Sequence, residues 1–193
     1  TWWAWSAGGV VVAFLTLMLV QPLLIEPLFN TYKPAPAGPM RDEIVAMAKQ
    51  VGVPSDKIFI YDGSKQSNRY SANVAGLMGT ARVAMSDVMF KKDADLAEVR
   101  AVVGHEMGHY VRGHIMIYAA LYGLLALIAF FLTDRLFPRV AAMVGAKGVQ
   151  GIADPAGLPV LGVIFAVIAL VATPLTSSVS RIGESDADKF SLE

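Results

Sequence analysis

The stretch HEMGHYVRGHIMIYAALYGLLALIAFFL, residues 105–132, joins a metal-binding pattern directly to an apolar run. Its first five residues have the form His-Glu-x-x-His, and the run Ile115–Leu132 carries no charged side chain. On a helix His105 and His109 lie about one turn apart on one face, so both imidazoles can bind one Zn²⁺. Glu106 then lies beside the metal as a candidate general base. The apolar run is nearly long enough to span the hydrocarbon core of a bilayer as a helix.

The composition of the whole chain agrees with a membrane protein. Hydrophobic residues make up 55% of its 193 residues and charged residues only 17%, which is too apolar for an ordinary soluble domain. The stretches Trp2–Ile25 and Leu158–Leu175 are also free of charge. We therefore predict a mainly α-helical integral membrane protein with about three transmembrane helices; three buried core helices are the disfavoured alternative.

Net charge and cysteine content narrow the chemistry further. The net charge is zero, so nothing indicates nucleic acid as a partner. The chain has no cysteine, so a metal site must use histidine and carboxylate ligands. The lipid bilayer is the one partner that composition alone predicts.

The residues between the first two apolar stretches predict a small α+β segment. Pro22 and the prolines after it are expected to end the first helix and leave a membrane exit and linker. Gly76 and Gly79 indicate a tight turn. The predicted elements are a helix at 40–51, strands at 57–61 and 81–85, an extended piece at 73–75, and a helix from Asp93 or Asp95 to about His114.

The third metal ligand must lie on the same membrane face as HEMGH. Two consecutive spans form a hairpin, so the residues before the second span and after the third emerge on one side. On a continuous helix His114 would point about 140° away from His109, which suits a supporting role better than a ligand role. Asp134, the first acidic residue after the motif, would lie across the membrane.

The C-terminal run RIGESDAD, residues 181–188, supplies a carboxylate pair at helical spacing. Glu184 and Asp188 are four positions apart and share one helical face. Glu184 can bind zinc, while Asp188 can accept the N–H of a ligating imidazole and fix its tautomer. Asp186 lies off that face and is predicted to be solvated.

These observations divide the chain into four predicted segments. They are a transmembrane helix and membrane exit at 1–29, a catalytic segment with a short β-hairpin or sheet and the HExxH helix at 30–114, a transmembrane hairpin at 115–179 with a loop at 133–157, and a third-ligand helix at 180–193.

Five segments, taken in order, resemble the type 1 CAAX prenyl protease family, integral-membrane zinc metalloproteases that process prenylated proteins. They are QPLLIEPLFNTYKP (21–34), DGSKQSNRYSANVAG (62–76), ARVAMSDVMF (81–90), HEMGHYVRGH (105–114) and SRIGESDADKF (180–190). Membrane proteases of the HtpX type share the metal motifs and are the closest competitor. The exit segment and the DGS…SANVAG segment favour the CAAX type.

The resemblance implies a metal site with one Zn²⁺ per chain. His105, His109 and Glu184 would be its ligands and Glu106 the base. Asp188 matches the carboxylate that supports a ligand histidine in the family.

The resemblance also implies supporting and substrate-binding residues. His114 matches a family histidine, which implies a supporting role. Asn73 matches an asparagine on an extended edge that holds the substrate by strand addition. The family has an Asn-Ala-Tyr-like run there, whereas this chain has Asn-Val-Ala.

The function that follows is that of a membrane-embedded zinc metalloendopeptidase acting on peptides or proteins, with prenylated CAAX-type C-termini as the implied substrates. The alternatives are an HtpX-like quality-control protease of membrane proteins and a non-enzymatic membrane protein. The chain begins with Thr1 and lacks parts that the family has at both ends, so we expect a piece of a longer protein. A cytoplasmic catalytic face is predicted from the basic residues flanking the spans on that side: Lys33, Arg100, Arg112 and Arg181.

Overall fold

The computed structural model describes residues 1–76 and 81–193. In chain order the helices and strands of these residues are α1 (Trp2–Val20), a π-helical turn (Gln21–Ile25), α2 (Glu26–Phe29), β1 (Tyr32–Pro34), α3 (Pro39–Gln50), β2 (Ile58–Tyr61), β3 (Ala72–Ala75), β4 (Arg82–Ser86), α4 (Leu96–Val111), α5 (His114–Met143) and α6 (Leu158–Leu192). Short 3₁₀ turns lie at Gly63–Lys65, Asp87–Phe90 and Pro155–Gly157.

Three helical stretches of the described residues are long and apolar enough to cross a membrane: Trp2–Phe29, His114–Met143 and Pro155–Leu192. Large apolar side chains along them are exposed, which is the arrangement that contact with lipid requires. The prediction of about three transmembrane helices in an integral membrane protein is confirmed.

The chain forms two compact units. The helical unit contains residues 1–15 and 116–181, and the sheet unit contains residues 16–115 and 182–193. In the helical unit the buried side chains of Phe137, Val160 and Ile164 form a small apolar core. The indole N–H of Trp2 donates to Asp134 at 2.6 Å in the same unit.

The sheet unit is built on four strands in the order β1-β2-β4-β3. β2 and β4 pair in parallel, whereas β1 with β2 and β3 with β4 pair antiparallel. The central strand β4 is buried on both faces, with Val83, Ala84 and Met85 fully inaccessible. α4 packs against α3 and against β3, which is an edge strand among the described residues. The core therefore forms where the sheet meets the HExxH helix.

Most predicted elements of the sheet unit agree with the structure to within about a residue. α3, β2, β3 and β4 occupy the predicted positions. β1 was not predicted, because three residues are too few to show an alternating pattern. The turn predicted at Gly76 and Gly79 falls largely on residues 77–80, which lie outside the described residues.

The prediction that Pro22 ends the first helix is wrong. The chain continues through the π-helical turn and α2 to Phe29. Pro22 stands at the start of the π turn, whose wider ring of hydrogen bonds accommodates the missing N–H. Arg82 donates to the Pro22 carbonyl oxygen at 2.6 Å, so a group at the irregular turn has a side-chain partner.

The loop predicted at 133–157 is also too long. α5 continues to Met143 with Pro138 inside it, so the first eleven of these residues are helical. Packing of Phe137 in the core of the helical unit explains why the helix persists beside a proline. The third-ligand helix predicted at 180–193 is not separate, because α6 runs unbroken from Leu158 to Leu192.

Candidate metal centre

The sequence of α4 explains how HEMGH is placed. Asp95 caps the helix, since its carboxylate accepts the backbone N–H of Ala97 at 2.8 Å. Val99, Val103 and Met107 recur every fourth residue and are buried, which fixes the rotation of the helix about its axis. The opposite side of the same helix therefore carries the two histidines.

Two glycines on α4 let the C-terminal part of α6 approach closely. A Cβ added at Gly108 would lie 3.1 Å from the Cα of Ala187, and one at Gly104 would lie 3.2 Å from the Cα of Ser191. Any larger side chain would push this part of α6 outward and carry Glu184 with it. Both glycines are visible in the sequence as a Gly-x-x-x-Gly pattern around the motif, a signal for close helix packing that the sequence analysis did not use.

The structure brings His105, His109 and Glu184 together. His105 Nε2 lies 3.0 Å from His109 Nε2 and 3.2 Å from Glu184 Oε2, and His109 Nε2 lies 3.6 Å from Glu184 Oε1. All the ligand atoms of this group lie within 4.8 Å of one another. Ligands at about 2.0–2.1 Å around tetrahedral Zn²⁺ are separated by about 3.3 Å, so this donor set fits the ion and leaves a fourth position open.

Asp188 contacts His105. Its Oδ1 lies 2.8 Å from His105 Nδ1, on the side of the ring away from Glu184. A carboxylate acceptor at Nδ1 keeps the proton there and leaves Nε2 free for a metal. The Asp188 side chain is 71% exposed, so this contact takes place in solvent.

His114 contacts His109, and the break between α4 and α5 allows this contact. α4 ends at Val111, and Gly113 has a φ of +66°, a conformation that favours glycine. The two histidines are thus not on one continuous helix, and His114 Nδ1 lies 2.8 Å from His109 Nδ1.

Asp186 is not the solvated residue that its helical position predicts. Its Oδ2 lies 3.3 Å from His114 Nε2 and 3.6 Å from Arg112 Nε. The sequence does not reveal this contact, because a continuous α4 would point His114 elsewhere.

Burial shifts the pKa of Glu106 upward and that of His109 downward. Burial raises the pKa of Glu106 above 4.5, the charge of Glu184 raises it further, and His105 opposes the shift. Burial is also the main cause that lowers the pKa of His109 below 6.5, which favours the neutral imidazole.

Asn73 lies on β3, the edge strand against which α4 packs. Its Nδ2 donates to Glu26 Oε1 at 3.4 Å, and its Oδ1 is buried without a hydrogen-bond partner among the described residues. Glu26 also accepts from Tyr32 at 2.8 Å and from Arg82 at 2.9 Å. This partly buried cluster, for which the sequence carries no local signal, ties the end of the first apolar helix to the sheet. The substrate contact of Asn73 stays a prediction.

Three helices able to cross a membrane, together with a histidine and carboxylate group that could hold a metal ion, are the features expected of the class of membrane metalloproteases. Peptidase family M48 matches residues 34–193. The chain belongs to this peptidase family.

Individual relatives agree with this assignment. The chain is 32% identical over 193 residues to the Bacillus subtilis (strain 168) protein named "Uncharacterized metalloprotease YhfN", covering 100% of this chain and 45% of that protein. It is 30% identical over 198 residues to the CAAX prenyl protease 1 homolog of Dictyostelium discoideum. That match covers 98% of this chain and 45% of the relative.

A solved structure shows the same fold. The crystal structure of S. mikatae Ste24p matches with a TM-score of 0.77 and 27% identity, covering 99% of this chain and 48% of that one. The resemblance to the CAAX prenyl protease family is confirmed. The chain spans about 45% of the length of the two curated relatives described above.

Proposed function

We propose that this protein is a membrane-embedded zinc metalloendopeptidase in which His105, His109 and Glu184 hold one Zn²⁺ and Glu106 is the base. The observation that carries the proposal is the convergence of two imidazole nitrogens and a carboxylate from separate helices, within 4.8 Å of one another. Such a donor set leaves an open position, as catalytic zinc sites do.

The proposed reaction is hydrolysis of a peptide bond. When bound, the zinc supplies Lewis-acid activation of water and of the scissile carbonyl. Glu106 accepts the proton of the attacking water and passes it to the leaving amine. The burial that raises the pKa of Glu106 suits a group that must first take up and then release a proton.

The proposed substrates are peptides or proteins with prenylated CAAX-type C-termini. Support comes from the Dictyostelium relative, which is named a CAAX prenyl protease 1 homolog. Edge strand β3 is the element proposed to hold the peptide by strand addition, with Asn73 beside it. An HtpX-like quality-control protease, which none of the relatives reported above supports, is kept only as an outcome of the test.

We also propose how the chain divides between membrane and catalysis. Segments 30–114 and 180–193 carry the catalytic residues, and segments 1–29 and 115–179 carry the transmembrane helices. The catalytic segments lie on the cytoplasmic face, with Lys33, Arg100, Arg112 and Arg181 as the basic residues near the spans.

Replacing the base tests the proposal. Glu106→Gln keeps the shape of the side chain but cannot accept the proton, so cleavage should fall by about 10²–10⁴-fold. Zinc content, measured by elemental analysis, should stay at one per chain. Glu98→Gln, at an exposed position of the same helix, is the matched control and should cleave at the normal rate.

Paired prenylated and unprenylated peptides give the substrate class in the same assay. Preference for the prenylated peptide supports the CAAX type, and cleavage of an unfolded membrane protein instead supports the HtpX-like candidate. Normal cleavage by Glu106→Gln, or failure of the purified protein to take up zinc, would contradict the proposal.

A further inference from the structure

We infer that Asp186, acting through His114, positions the imidazole of His109 for the metal. This inference rests on the zinc site of the proposed function and assigns a positioning role to a residue that the HExxH and Glu-x-x-x-Asp patterns leave out. In the sequence Asp186 lies between Glu184 and Asp188. Those two residues contact His105 and His109, whereas Asp186 contacts His114.

The contacts run in one line from His109 to Asp186. His109 Nδ1 lies 2.8 Å from His114 Nδ1, and His114 Nε2 lies 3.3 Å from Asp186 Oδ2. The rings of the two histidines meet edge to face, with centroids 4.9 Å apart. The His109 nitrogen that faces Glu184 is the other one, Nε2.

One assignment of protons satisfies both contacts with neutral rings. The Asp186 carboxylate, 3.3 Å away, favours a proton on His114 Nε2, which leaves a lone pair on Nδ1. That lone pair accepts the N–H of His109 at Nδ1, which leaves His109 Nε2 without a proton and able to bind a metal. Asp186 thus favours one tautomer of His109 without touching it, because His114 lies between them.

Burial gives this line of contacts its effect. His114 is 5% exposed, so water has little access to the middle of the line, whereas Asp186 closes its outer end with a side chain 38% exposed. In such a place the polar groups on either side of the ring hold it in one orientation. Removing the carboxylate at the outer end takes away the charge that favours this tautomer of His114, and the hold of His114 on His109 weakens.

The competing explanation is that Asp186 serves only as the ion-pair partner of Arg112. Arg112 Nε lies 3.6 Å from Asp186 Oδ2, and its side chain is 46% exposed. Pairs this exposed are screened by solvent and contribute little. If the ion pair were the whole role of Asp186, removing Arg112 would weaken zinc binding as much as removing Asp186 does.

The test is the Zn²⁺ dissociation constant of the protein purified in detergent, measured by competition with a chromophoric chelator. Asp186→Ala should weaken zinc binding by about 10–100-fold, the usual effect of removing a group that supports a ligand. Asp186→Asn keeps an oxygen acceptor for His114 and should stay within about 3-fold of the original protein. Arg112→Gln should also stay within about 3-fold.

Thermal unfolding of the metal-free protein separates positioning from folding. Asp93→Ala removes an exposed carboxylate of the same unit and is the control for lost charge. The midpoints of all variants in excess chelator should agree with that of the original protein. Should Asp186→Ala not fold, Asp186→Ser, which is polar but too short to reach His114, takes its place.

Three outcomes would overturn the inference. They are unchanged zinc affinity in Asp186→Ala, an equal loss in Asp186→Asn, and a loss in Arg112→Gln as large as that in Asp186→Ala. Failure of the original protein to bind zinc would instead overturn the proposed function, so the two failures are distinguishable.

Discussion

The two histidines of HEMGH have different neighbours on the side away from Glu184. On the Asp188 side, formed by His105 and Asp188, an exposed carboxylate contacts the ring directly at 2.8 Å. On the His114 side, formed by His109, His114 and Asp186, a buried histidine stands between the ring and the carboxylate. Water can replace the carboxylate of the first side but has little access to the second. The expected effects of substitutions follow from this difference.

The largest loss of zinc affinity should come from replacing Glu184, which lies near both His105 and His109. Glu184→Ala removes the carboxylate that lies 3.2 Å from His105 and 3.6 Å from His109. Because it removes a proposed ligand rather than a support, zinc affinity should fall by more than about 100-fold. Chelator competition measures it, with the exposed neighbour substitution Ser185→Ala as control. Zinc binding within tenfold of the original would exclude Glu184 as a ligand.

A substitution on the His114 side should rank second. His114→Phe keeps a flat ring but removes the acceptor, so the Nδ1–H of His109 is left facing an apolar side chain. We expect zinc affinity to fall by about 100-fold, at the upper end of the range for supporting groups. The same competition assay measures it. If His114→Phe lost less zinc affinity than Asp188→Ala, the His114 side would matter less than the Asp188 side, contrary to our expectation.

The Asp188 side should be more tolerant. In Asp188→Ala, water can take the place of the carboxylate at His105 Nδ1, since Asp188 is 71% exposed. We expect a loss of about tenfold in zinc affinity, the lower end of the same range. Asp188→Asn, which keeps an acceptor, should recover most of it. Equal losses in Asp188→Ala and His114→Phe would show that exposure does not decide the effect.

The smallest effect should come from the backbone that creates the His114 side. Gly113→Ala places a Cβ in open space but at a φ of +66°, which should cost about 1 kcal/mol of folding free energy. Gly145 has the same φ and also meets nothing within 4 Å, so Gly145→Ala is a matched control. Urea unfolding should give similar losses for both. Only Gly113→Ala should also weaken zinc binding, and a weakening by both would contradict this.

Short sequence patterns predicted those features that depend only on neighbouring residues. The spacing of His105 and His109 follows from the helical repeat alone. The spans follow from the hydrophobicity of continuous stretches, and β2 and β4 follow from short apolar runs bounded by turns. The pairing of Glu184 with HEMGH needed one further step, the counting of spans.

Local patterns failed where distant packing decides the backbone. The π turn at Gln21–Ile25 continues a helix through Pro22, and Phe137 anchors a helix that contains Pro138. Gly104 and Gly108 matter only because α6 passes within 3.1–3.2 Å of where their Cβ atoms would lie. The Gly-x-x-x-Gly spacing shows in the sequence, but the partner that packs against it on α6 does not, and neither proline-containing helix has a pattern that predicts its continuation.

The sequence by itself determined the metal motif, the three apolar spans and the carboxylates able to complete the site. Only the tertiary structure decided that His114 turns back onto His109 and that Asp186 faces His114. The physical reason is the conformation of one residue. Gly113 can adopt helical or left-handed φ at little cost, and the contacts of His114 with His109 and Asp186 go with the left-handed one.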